Sequence, residues 1–131
     1  MIDPRIDTYM REAGLLPILG SFAIEGPLVE EVIFRLFPQI AFGSTWAVGI
    51  PATLAFGFAH NFHLEERPDG EPIHRFSTTI PIIQLASGAH FWDVSARRGF
   101  SHALAAHIVS NLWPLTLRWV FREHGTNATK K

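Results

Sequence analysis

The chain has 131 residues, enough for one domain with one core. Eleven basic and twelve acidic residues leave a net charge of −1 with no long run of one sign, so no nucleic-acid surface or acidic ligand is implied. The absence of cysteine excludes disulfides, thiolate metal sites and a cysteine nucleophile.

Residues 1–12 are polar and lack the basic start, apolar run and small-residue cleavage site of a signal peptide. From Ala13 to Ala59 the only charges are Glu25, Glu30, Glu31 and Arg35. That span is long enough for two membrane crossings of about 20 residues each. The pattern predicts a first helix over 15–42. Pro27 precedes the acid pair by one turn and predicts a kink or a fresh helix start near Gly26-Pro27. Gly43-Ser44-Thr45 reads as a connector, with Ser44 or Thr45 as N-cap of a second helix over 45–62 that contains Pro51. Residues 64–75 read as a polar loop, because Pro68, Gly70 and Pro72 break a helix and Pro-Asp-Gly marks a turn. A third helix over 76–92 has the weakest pattern, diluted by Pro81, Gln84, Gly88 and His90. Ala96-Arg97-Arg98-Gly99 reads as the next connector. A fourth helix covers 100–121 with Pro114 inside it, and 122–131 form a polar, frayed tail.

The expected fold is all-α: a compact membrane-embedded bundle of about four main helices with a polar site inside. Residues 1–131 are read as a single domain with its core at about 15–121. An even number of crossings would put Arg5, Arg11, Arg67, Arg75, Arg118, Arg122, Lys130 and Lys131 on one side. Arg97 and Arg98 would lie on the other. That bias predicts cytoplasmic termini.

Three polar groups interrupt these apolar segments: Glu30-Glu31 with Arg35, His60 after Phe56, and His107 with Asn111. Polar side chains among apolar ones are costly unless paired or used. Glu30 and Glu31 point about 100° apart on a helix. Glu31 and Arg35 have the spacing of an intrahelical ion pair, which leaves Glu30 for chemistry. An acid in apolar surroundings can serve as general base near neutral pH. His60 shares a face with Phe56, and His63 lies a turn further on. A lone histidine at a helix end is most often a cap or surface residue, and His74, His90, His102 and His124 receive no role. His107 and Asn111, four apart, can aim two donors at one point, as an oxyanion requires. Taken singly, they also read as polar glue between helices. Glu30, His60 and His107 could instead hold zinc with water in the open position, although no His-Glu-x-x-His is present.

The succession E-E-x-x-x-R, F-x-x-x-H and H-x-x-x-N resembles the CPBP family of intramembrane proteases, also called the Abi or type II CAAX prenyl endopeptidase family. Gly26-Pro27-Leu28-Val29 before the acids, Asn61-Phe62 after His60, and Arg97-Arg98-Gly99 before Phe100 extend the likeness over about residues 15–121. Leu36 stands where relatives often carry glycine. The resemblance implies that Glu30 activates the attacking water and that His60 helps hold or deprotonate it. His107 and Asn111 would stabilise the oxyanion, while Glu31, Arg35 and Phe56 support the site. It implies peptide-bond hydrolysis in or beside the lipid bilayer, with a peptide or prenylated tail as substrate. Relatives are described both as metalloproteases and as metal-independent glutamate proteases. The favoured mechanism requires no cofactor, since one carboxylate, two imidazoles and an amide suffice for water attack, with zinc as the alternative. Relatives usually carry additional helices before the first motif, which leaves three expectations open: a minimal core, a shortened chain, or a chain completed by a second copy or a partner.

Two other classes of function fit the same residues. One is a non-catalytic membrane protein of this fold that binds a peptide or partner, as an immunity factor would. The other is a soluble helical bundle that binds a metal through His60, His63 and His107.

Overall fold

A computed structural model describes residues 15–66 and 72–128. The architecture is all-α with one added β-hairpin. The first helical run comprises α1 (Leu15–Ile18), a π-helical segment Leu19–Glu25, α2 (Gly26–Glu31), a second π-helical segment Val32–Leu36, and α3 (Phe37–Phe42). Then come α4 (Trp46–Ala59), β1 (Phe62–Glu66), β2 (Pro72–Phe76), α5 (Ile82–Arg98) and α6 (Phe100–Ala128). Glu30–Ala103 form one compact unit; the described residues of Met1–Val29 and Leu104–Lys131 form a second.

The core of the first unit lies between α4 and α5. Gly49 sits against the Trp92 indole and Gly57 against Leu85, and a Cβ at either position would overlap its partner. Lacking side chains there, α4 approaches α5 closely enough to bury Phe56, Phe91 and Trp92. Gly49→Val is expected to cost about 1–3 kcal/mol by overpacking. A lower thermal midpoint in detergent would show it.

Several boundaries differ from the sequence expectation. The 64–75 loop is a hairpin whose arms pair antiparallel, from Phe62 with Phe76 to Glu66 with Pro72. Its Pro68 and Gly70 lie outside the described residues, as do residues 1–12, Lys130 and Lys131. The third helix is displaced towards the C-terminus, because Pro81 is its N-cap rather than an interior residue. Ala96-Arg97-Arg98 belong to that helix, supported by an Asp93–Arg97 pair at 2.8 Å, and Gly99 at φ 92° ends it. Thr45 is the N-cap of α4, but its side chain makes no capping bond. α6 continues through the predicted tail to Ala128.

The first helical run fits its predicted bounds, and a fresh α segment does start at Gly26. The π-helix ahead of it has a local cause. In an α register the Pro27 ring would crowd the carbonyl of Ala23, which the wider π turn relieves. In that π register the partner of Pro27 is the carbonyl of Phe22, which gets no N–H from it. That carbonyl accepts a hydrogen bond from Asn111 Nδ2 on α6 at 3.1 Å.

No helix among the described residues is long and apolar enough to cross a membrane, so the two crossings expected between 13 and 59 are not found as such. The surface is nonetheless strongly apolar. Phe37, Ile40, Phe42, Ile50, Ile82 and Ile83 are more than half exposed, while Glu31 and Arg35 are fully buried.

Candidate functional site

The acid pair splits as its helical geometry requires. Glu31 turns inward and its Oε1 lies 3.2 Å from Arg35 Nη1, with both side chains buried. The Arg35 guanidinium lies 4.1 Å from the Phe56 ring centroid and 5.6 Å from that of Phe91. Its Nη2 donates to the Gly88 carbonyl at 3.4 Å. Two ring faces, a carbonyl and a carboxylate therefore replace water around a buried cation. Gly88 makes room for this arrangement, since a Cβ there would lie 2.8 Å from the Phe56 ring.

Glu30 turns the other way. Its Oε1 lies 3.8 Å from His60 Nε2, and both side chains are about one-third exposed (31% and 33%). His60 caps the C-terminal end of α4, and its Nδ1 donates to the Phe56 carbonyl at 2.8 Å. A carbonyl can only accept, so that bond places the proton on Nδ1 and aims Nε2 at Glu30. The Phe56 ring packs edge-on against the imidazole at 4.6 Å. Phe56 thus orients His60 with its backbone and ring while it stacks on Arg35.

In the other unit, His107 is buried on α6 and its carbonyl accepts from Ser110 Oγ at 2.8 Å. Asn111, one turn on, uses one amide N–H on Phe22. This is the helix-joining role open to such residues. The amide's second N–H is not spent on that bond. Asn111→Ala is expected to cost about 0.5–1.5 kcal/mol, the net worth of an ordinary exposed hydrogen bond. A chemical-unfolding curve in detergent would read this.

Residues 12–113 match the family described as type II CAAX prenyl endopeptidase, Rce1-like. The chain belongs to this family. The match covers more than half of the chain and contains all three motifs. The family is one of peptidases and is membrane-associated. No curated protein and no solved structure matches the chain.

Among the described residues, no three His, Cys, Asp or Glu side chains are grouped to hold a metal ion. His63 lies in β1, paired in register with Arg75. The sequence assigns no role to three residues that support the site: Gly88 and Phe91 beside Arg35, and Asn61 after His60, which it notes only as part of the motif. Asn61 is buried, and its Nδ2 donates to the carbonyls of Ser77 and Thr79 at 2.9 and 2.8 Å. An asparagine directly after a helix-ending histidine was the available signal, since amides there bond to nearby backbone.

Proposed function

We propose that this member of the family is an intramembrane endopeptidase that hydrolyses a peptide bond with a water activated by Glu30 and His60. The observation that carries this reading is the oriented Glu30–His60 pair, with Glu31 drawn away to Arg35. Glu30 accepts the water proton as the oxygen attacks the scissile carbonyl, and His60 Nε2 holds the water beside it. The proton then passes to the leaving amine as the tetrahedral intermediate collapses. His107 and Asn111 are assigned to the oxyanion by their motif and by their spacing of one turn. Glu31, Arg35 and Phe56 hold Glu30 and His60 in register.

The exposed apolar side chains support a lipid environment, since a water-facing surface rarely carries so many. We read the protein as integral and multi-pass, with termini on the cytoplasmic side by the arginine and lysine bias. The substrate is a peptide or prenylated tail.

The test is cleavage of a quenched fluorescent peptide library by detergent-solubilised protein, wild type beside Glu30→Ala, with and without chelator. Turnover that disappears in the variant and ignores the chelator supports the reading. Turnover that persists in Glu30→Ala refutes it, and turnover lost to the chelator replaces the metal-free mechanism with a metal-dependent one.

A further inference from the structure

The hairpin that follows His60 has an open edge with a defined hydrogen-bonding phase. Ser77 N–H donates to the Asn61 carbonyl at 2.9 Å, which puts Asn61 and Ser77 in the bonded phase of the ladder, while the Asn61 N–H turns back to the Phe58 carbonyl at 3.0 Å. In an antiparallel ladder such pairs alternate with non-bonded ones. The register then makes His63–Arg75 and Glu65–Ile73 bonded pairs. Phe62–Phe76, Leu64–His74 and Glu66–Pro72 are non-bonded, with their N–H and C=O groups facing outward.

Two observations agree with this phase. The Phe62 and Phe76 rings lie 4.8 Å apart, as the closer approach of a non-bonded pair allows. Pro72, which has no N–H, falls where the ladder needs none. Pro72 also blunts the outer edge of β2, because proline offers no N–H there. β1 has no proline, and it begins two residues after His60. Asn61, bonded to Ser77 and Thr79, ties the base of the hairpin to the end of α4. The sheet has two strands among the described residues, so no third strand covers β1.

We infer that the outer edge of β1 is the substrate subsite: an extended stretch of the polypeptide to be cleaved pairs with the main chain of Phe62 and Leu64, as a third strand beside the Glu30–His60 pair. This rests on the peptidase reading and names how that site holds its substrate. Peptide addition to a sheet edge uses main-chain bonds for affinity and side-chain contacts for choice. Such pairing straightens the substrate and presents its carbonyls at fixed intervals of about 3.3 Å per residue. Phe62 and Phe76, 66% and 50% exposed, form an aromatic platform. The preferred substrate therefore carries an apolar residue opposite Phe62, close to the scissile bond. A strand edge in an apolar environment also needs a partner for its own N–H and C=O groups, which the substrate supplies.

The test uses the library peptide that wild type cleaves fastest, labelled with fluorescein and bound to Glu30→Gln protein in detergent. Leu64→Pro, made in that background, removes one outward donor and leaves the β1–β2 ladder intact. It is expected to weaken binding at least 10-fold, while His74→Pro on the opposite edge leaves binding unchanged. A version of the peptide N-methylated at alternate residues is expected to lose the same affinity on unaltered β1. That arm decides the matter if Leu64→Pro fails to fold. Equal binding of the methylated and plain peptides overturns the inference, even where wild type cleaves and Glu30→Gln does not. A change of oligomeric state in Leu64→Pro with peptide binding unaltered also overturns it, and assigns the edge to a second copy. If wild type cleaves no peptide, the peptidase reading fails and the subsite falls with it.

Discussion

Glu30→Gln is expected to lower peptide turnover by about 10²–10⁴-fold, the usual worth of a positioned general base. Glutamine keeps the shape of the side chain and loses the ability to take a proton. Glu30 is 31% exposed and the buried Arg35 keeps Glu31 as its ion-pair partner, so the melting temperature should move little. The loss should fall on kcat with KM nearly constant, because the interaction removed belongs to the transition state. His60→Ala should cost a similar factor. The double variant should be little worse than either single one, since the two act on one water. Turnover and a thermal melt on the same samples check all of this. Wild-type turnover in Glu30→Gln would end the assignment of Glu30 as base.

Arg35→Met should damage the fold far more than Glu30→Gln does. It leaves the Glu31 carboxylate, fully buried, without the guanidinium 3.2 Å away. Breaking one side of a buried pair costs about 3–5 kcal/mol. Two ring faces and the Gly88 carbonyl lose their cation as well. Glu31→Leu with Arg35→Met should recover much of the loss, because replacing both members of a buried pair with apolar groups is often close to neutral. Denaturant unfolding in detergent of the two single variants and the double closes this cycle. A double variant as unstable as Arg35→Met alone would mean that the pair is not the source of the stability.

The features that the sequence made legible are local ones. Glu31 with Arg35 and Phe56 with His60 are each four residues apart, so one helical turn brings them together whatever the rest of the chain does. That Glu30 faces a histidine thirty positions on is different in kind. It depended on recognising the motifs, and the structure sets the two side chains 3.8 Å apart. The roles of His107 and Asn111 still rest on their motif. The hairpin was hidden because its pairing is non-local: Phe62 and Phe76 gain from each other only once the intervening polar stretch has turned. The third helix lies further along than the pattern predicts because Pro81 stands at its start, where proline costs little, and not within it. The surroundings of Arg35 could not be foreseen, since the Gly88 carbonyl is 53 positions away and any residue type presents a carbonyl.

The bond between Asn111 and Phe22 has a consequence for biosynthesis. The two residues are 89 positions apart. At about 5–20 residues per second, a ribosome needs roughly 5–20 s to travel from one to the other. Throughout that interval the Phe22 carbonyl, which Pro27 cannot serve, has no asparagine to answer it. The first helical turns among the described residues are thus completed by the last described helix. A stalled nascent chain ending before residue 111 should hold the 19–25 segment in a different backbone state from the released protein.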